Sequence, residues 1–281
     1  NKLKGTIIVP VVGWATTYFP VAQNGFSLNF VDVDPDTWNI DVTKIRDAIT
    51  PETCAIMPVN LLGNSCDFTE IKKICEEHEL KLIEDNCESM GAMHDGKHTG
   101  TIGLAGSFSF FFSHHIQTME GGMVLCQDKD DADYMRSLRA HGWVRDLPAD
   151  SHLYKKTGNA FDDNFIFATP VYNVRPLEMS GAIGSVQLKK WPQIEQRRID
   201  NAKHFVDLFH SKPWCRIQQI IGESSWFTFG MVLDGELKGR RAEIVKALDE
   251  AGIQNRPLAS RNFLKQPVMR DLDYIASGEM T

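Results

Sequence analysis

Nowhere in this 281-residue chain does an apolar run approach the roughly 20 residues that a bilayer-spanning helix requires, so no membrane partner is expected. Cysteine pairs are missing as well. Cys54, Cys66, Cys75, Cys87, Cys126 and Cys215 are scattered without a CxxC motif, so the expectation is reduced cytosolic thiols, partly in a core. There is no excess of positive charge. A net charge of -7 argues against nucleic-acid binding, whose footprint would be basic. It fits a soluble protein that handles small molecules and leaves room for a local basic pocket for phosphate. Neither an internal repeat nor a low-complexity linker is visible. The start, NKLKGTIIVPVVG, is basic but has no clean signal-peptide core or cleavage site. It reads as a strand cut out of something longer, and a cytoplasmic location is expected.

What is present is ordinary globular material. Hydrophobic residues make up 42% and charged residues 24%, enough for one large domain, or a large one with a smaller companion. The centre of the chain alternates strand and helix. TCAIMPVN (53–60) reads as a short apolar strand. Asp67 then opens a helix with Glu70 as a capping box, and Phe68, Ile71, Ile74 and Cys75 form its apolar stripe. In ELKLIEDNCES, Leu80, Leu82 and Ile83 form a second buried strand with Glu84 and Asp85 at its carboxyl end. Strand, crossover helix and strand within about 35 residues make a parallel βαβ unit. Ligands of such sheets lie beyond the carboxyl ends of strands, which makes Asp85 a candidate by position.

Further along, HDGKHTG (94–100) has a hairpin turn at Asp95-Gly96. His94 and His98 have a metal-ligand spacing only if helical, and the turn removes that context, so no metal site is expected. Gly100, Gly103 and Gly106 do not match a dinucleotide fingerprint and read as glycines of tight turns. GGMVLCQD reads as a strand and DYMRSLRAHGW as a basic helix. A long helical segment runs from Leu177 to about His210, with a kink or break expected at Pro192. WFTFGMVL (226–233) reads as a strand. GRRAEIVKALDEAG reads as an amphipathic helix with Ile244, Val245, Leu248 and Ala251 apolar, ended at Gly252.

One stretch carries chemistry: FSFFFSHHIQTMEGGM (108–123), where a strand-like run of phenylalanines ends in His114 and His115, followed by Glu120 and a glycine pair. Together with GWATT, EDNCESMG and YNVRP, in this order, it resembles the sugar aminotransferases dependent on pyridoxal phosphate. These are the fold type I group that modifies nucleotide-linked keto-sugars, and the resemblance runs nearly the whole length. It implies an α/β fold with a mostly parallel sheet flanked by helices. Residues 1–190 would be the large cofactor-binding domain without its N-terminal part, and 191–281 a linking helix with an incomplete small domain.

Position by position, the resemblance implies that Asp85 pairs with the pyridine nitrogen of the cofactor and keeps the ring protonated. It implies that Trp14 stacks on the ring face, Ser109 hydrogen-bonds the phosphate and Glu88 sits near the ring hydroxyl. Asn173 would reach the phosphate of a second subunit, implying a homodimer with shared sites. His141 would touch the substrate or, equally, be a helix-end histidine.

The sequence departs from the family at one position. Six residues before the glutamate of EGG the aminotransferases have the lysine that binds the cofactor covalently, and here that residue is His114. An imidazole cannot hold the cofactor that way, but with a pKa near neutrality it can move protons. Within the family, histidine there marks the 3-dehydratases of 4-keto-6-deoxy sugars, and RSLRAHGWVRDLP is similar to the branch acting on GDP-linked 4-keto-6-deoxymannose. That resemblance implies pyridoxal and pyridoxamine phosphate as cofactor, glutamate as amino donor and a nucleotide-sugar substrate. A branch with an iron–sulfur cluster needs grouped thiolates, and no cysteine lies between Cys126 and Cys215. His115 is the rival base, since successive strand residues face opposite ways and only one of the pair should face the cofactor. Two other readings stay open: an aminotransferase, and a silent relative that binds the cofactor or the nucleotide-sugar.

Overall fold

The computed structural model describes residues 4–280. Its first strands are buried at every position rather than alternately, as in a sheet covered on both faces. These are β1 (Thr6–Pro10) and β2 (Ser27–Val31), separated by helix α1 (Ala15–Gln23). Helix α2 (Val42–Ala48), β3 (Thr53–Ile56), α3 (Phe68–Glu77) and β4 (Lys81–Asp85) follow. A small hairpin, β5 (Met93–His94) and β6 (Lys97–His98), precedes β7 (Ala105–Ser109) and β8 (Gly122–Cys126). Then come α4 (Lys129–Arg139), α5 (Ala160–Asp163), α6 (Glu178–Phe209), β9 (Cys215–Ile217), β10 (Met231–Leu233), α7 (Arg241–Glu250) and β11 (Tyr274–Ala276).

Seven strands form one sheet in the order β11-β2-β1-β3-β4-β7-β8. Every neighbouring pair is parallel except β7 and β8. The α/β expectation and the βαβ unit through α3 are therefore met. Phe68, Ile71, Ile74 and Cys75 pack into the core against Ile8, Ile56 and Leu82. Asp67 caps α3 by accepting from the Glu70 amide at 3.1 Å, but the Glu70 carboxylate takes Arg46 at 2.6 Å instead of returning to the cap. Only half of the capping box forms. The Asp95-Gly96 turn is present, both residues being left-handed.

Three expectations need correction. The run 108–115 is a strand only as far as Ser109: the Ser109 hydroxyl then accepts from the Phe111 amide, and the His114 amide donates to Phe111 O, which curls the chain into a loop. The two histidines thus sit at the end of a turn, and strand alternation does not set which way each one faces. Helix α6 passes through Pro192 without a break. Of WFTFGMVL only Met231–Leu233 is strand, because the amides of 225 and 227 bond to Gly63 and Leu62 instead. Phe263 and Met269 sit in the core with Tyr18, Leu28 and Phe30, and β11 pairs with β2. Gly252 ends α7 in the left-handed region, as the sequence suggests.

Candidate active site

Asp85 ends β4, and its carboxylate is held by three neutral donors. Thr17 Oγ1 donates to Oδ2 at 2.6 Å, the Cys87 amide donates to Oδ1 at 3.1 Å, and Ser107 Oγ reaches Oδ1 at 3.4 Å. Thr17 lies in the first turn of α1, so the same contact fixes the start of that helix over the strand ends. Trp14 is the N-cap residue there and is 57% exposed. A side chain on the preceding Gly13 would collide with the Tyr18 hydroxyl, which accounts for the glycine before the tryptophan.

Glu84, next to Asp85, has a different task, in keeping with the alternation of a strand. It is 1% exposed and accepts from the amides of Gly100, Ile102 and Gly103 at 2.5, 2.6 and 2.7 Å. Burial pushes its pKa up, and these three amides pull the other way. The loop they fix leads into β7. A side chain on Gly106 would strike the Gly100 backbone, so these glycines serve close approach as well as turns.

His114 is half-buried, and its Nδ1 lies 2.7 Å from the Cys87 carbonyl oxygen. A carbonyl can only accept, so Nδ1 carries the proton and Nε2 keeps its lone pair. Burial lowers the pKa of this histidine, and Arg256 and Arg198 lower it further, against the Cys87 carbonyl and Asp85. His115 is enclosed instead, with Nε2 on Ser225 O at 3.2 Å and its ring against Trp191 and Phe227. Burial drives its pKa down to about 3. His115 is therefore a neutral packing residue. Glu88 accepts from the Leu62 amide at 3.0 Å, and burial, reinforced by Asp85, pushes its carboxyl up to about 7 against the pull of that amide and of Arg256.

The structure thus brings Asp85, Glu88, His114 and the Trp14 end of α1 into one network. Ser109 stands at the end of β7, the neighbour of β4. His141 and Asn173 belong to another place. His141 stacks on Trp143, and its amide donates to Tyr172 O, while Asn173 bridges to Ala140 and accepts from Arg175. Sequence reasoning missed Thr17, Arg198, Arg256 and Phe227. For Thr17 a signal existed in the repeated threonine after Trp14. Arg198 and Arg256 come from distant segments and carry no local mark.

A model of the DegT/DnrJ/EryC1/StrS aminotransferase family matches residues 2–281, and the chain belongs to that family. It is 52% identical over 277 residues to the GDP-4-keto-6-deoxy-D-mannose 3-dehydratase of Yersinia pseudotuberculosis, covering 98% of this chain and 70% of that protein. A solved structure of the Escherichia coli GDP-4-keto-6-deoxy-D-mannose 3-dehydratase with bound hydrated PLP superposes with a TM-score of 0.95 at 45% identity, covering 100% of this chain and 72% of that one. A second, of a GDP-4-keto-6-deoxymannose 3-dehydratase with a trapped PLP-glutamate geminal diamine, gives 0.96 at 45% identity and covers 100% and 73%. The site here fits pyridoxal phosphate. Asp85 forms no ion pair among the described residues, so its charge is free to meet a pyridinium, and an exposed indole stands at the same edge.

Proposed function

We propose that this chain removes the C3 hydroxyl of a nucleotide-linked 4-keto-6-deoxy sugar, GDP-4-keto-6-deoxy-D-mannose, with glutamate as amino donor. The observation that carries the reading is His114, a half-buried imidazole with Nδ1 tied to a backbone carbonyl and a free Nε2. Its lowered pKa keeps it neutral, and so able to accept a proton, at neutral pH. The cofactor, in its pyridoxamine form, supplies when bound an electron-accepting ring linked to the sugar at C4. Asp85 holds a positive charge at the ring nitrogen, Trp14 covers a ring face, Ser109 binds the phosphate and Glu88 meets the ring hydroxyl. With the cofactor bound, Nε2 of His114 would take a proton from the carbon beside the ring and could return it to the C3 hydroxyl, which would leave as water as the C3–O bond breaks. Hydrolysis then gives a 4-keto-3,6-dideoxy sugar and ammonia.

The exposed Tyr172 and Asn173, away from the Asp85 network, support a homodimer in which Asn173 serves the partner's phosphate and His141 lies toward the substrate. Among the described residues no helix is long and apolar enough to cross a membrane, and we place the protein in the cytoplasm. An aminotransferase needs an amine that can link to the cofactor. The cations acting on His114 are the guanidiniums of Arg198 and Arg256, which cannot. The test is incubation with pyridoxal phosphate, glutamate and GDP-4-keto-6-deoxymannose, with products identified by mass. The 3-deoxy ketone with release of ammonia is expected. A 4-amino sugar would establish the aminotransferase reading, and binding of cofactor and sugar without turnover the silent one.

A further inference from the structure

We propose that Phe227 is a positioning residue that holds the His114 imidazole against the Cys87 carbonyl, with Arg198 and His115 clamping the segment that carries it. The Phe227 ring is 8% exposed, with its centroid 5.0 Å from that of His114 at an interplanar angle of 60°. The segment behind it is held unusually tightly. Three successive carbonyls are taken by side chains: Ser225 O by His115 Nε2 at 3.2 Å, and Trp226 O and Phe227 O by Arg198 Nη1 at 2.9 Å each. On the other side the amides of Ser225 and Phe227 donate to Gly63 O and Leu62 O, both at 3.0 Å.

These clamps hold Trp226 at φ 51°, a left-handed backbone that disfavours a non-glycine residue. A side chain on Gly63 would collide with the Trp226 amide, so the glycine there makes room for the segment. A backbone held in a disfavoured state from both sides delivers one ring to one place, and that place is beside the His114 imidazole, in an edge-type contact. The charged and titratable groups acting on His114 are Asp85 from β4, Arg198 from α6 and Arg256 from the loop after α7, with His115 beside it. An apolar ring in their midst excludes water, disfavours the imidazolium and leaves the Nδ1–H to the Cys87 carbonyl.

This inference rests on the reading of His114 as the base, and the experiment separates the two. In cofactor-free protein labelled with ¹⁵N-histidine, the His114 signals are assigned by their loss in His114→Asn. Phe227→Ala should raise the His114 midpoint by about one pH unit and blur the Nδ1–H tautomer, while Phe227→Leu should restore most of both. In the loaded enzyme, Phe227→Ala should lower kcat with little change in KM for the sugar and move the pH profile by the same interval. Arg198→Lys keeps the charge but cannot hold both carbonyls. It should raise the midpoint in the same direction, and it decides the matter should Phe227→Ala fail to fold. An unchanged midpoint and tautomer in the folded variants overturns the proposal. Dehydration surviving in His114→Asn would instead overturn the base assignment and leave the titration result standing.

Discussion

Residues 4–126 and residues 127–254 bury their apolar side chains very differently. The buried members of the three core clusters all lie between Ile7 and Leu82, apart from Phe227, Phe263 and Met269. By contrast, α6 runs for 32 residues with Ala202 alone buried, and α7 buries none. Phe161 is 89% exposed and Tyr172 84%, and Phe165, Val174, Leu177 and Leu188 are exposed too. The first region fixes chemical groups to within a hydrogen bond. The second presents apolar surface that this chain does not cover, and on the reading above a second copy covers it. What the contrast teaches is that His114 and Asp85 are positioned by groups of this chain, Phe227 and Arg198 of the second region among them, whereas on that reading the part assigned to His141 and Asn173 would be completed by a second copy.

The largest effect expected is on chemistry in the packed half. A general base contributes about 10²–10⁴-fold, so His114→Asn should lose at least that in single-turnover formation of the 3-deoxy product. The variant should still bind pyridoxamine phosphate and sugar. His114→Lys should not restore dehydration, and His115→Asn should cost much less chemistry than stability. An active His114→Asn beside a dead His115→Asn would reverse the assignment.

The packing contrast itself can be broken by truncation. Phe30 is fully buried against Tyr18 and Phe263, and Phe30→Ala should destabilise by about 3–5 kcal/mol in denaturant unfolding. Leu188→Ala on α6 should cost less than about 1 kcal/mol in dilute protein. A larger loss that grows with protein concentration would mean that Leu188 is covered by the second copy. A large loss independent of concentration would break the contrast.

Next in size is the acid response of His115. Its pKa in the folded protein is depressed to about 3 by burial, so its contribution is intact above the ordinary histidine range and lost as pH falls through it. At pH 5 that loss is about 2 kcal/mol relative to pH 7.5. The urea midpoint should therefore fall more steeply with acid in the wild type than in His115→Gln. Parallel curves would show that His115 is not held neutral.

Legibility followed the same division. The packed half was readable because its signals are local: the α3 stripe, the Asp95-Gly96 turn and the strand end at Asp85 depend on residues close in sequence. The EDNC and SHHIQTMEGG motifs placed Asp85 and His114 through resemblance, and no periodicity would have chosen His114 over His115. That choice is made by the turn at Phe111 and the Cys87 carbonyl, neither of which leaves a pattern in the sequence. Glu84 was legible only as an acid beside Asp85, since its partners are backbone amides. Arg198, Arg256 and Phe227 reach the site by long-range packing. The β11 pairing with β2 was missed because three exposed residues, Tyr274–Ala276, carry no burial signal.

The smallest effect concerns Glu88, on which Arg256 acts from just beyond the second region. Its carboxyl is raised to about 7, so the stability it contributes is fully present below the ordinary glutamate value of 4.5 and is lost as pH rises from there through 7. The shift would correspond to roughly 3 kcal/mol if fully expressed, and the partial exposure of the residue reduces this to about 1–2 kcal/mol. Glu88→Gln keeps an oxygen for the Leu62 amide and carries no charge to desolvate. In cofactor-free protein its urea midpoint should change less between pH 5 and pH 8 than that of the wild type. Arg256→Met removes the cation that favours the carboxylate and should steepen the wild-type fall. If Glu88→Gln and wild type trace the same slope, the carboxylate is already ionised at pH 5, and Asp85 and burial do not govern it.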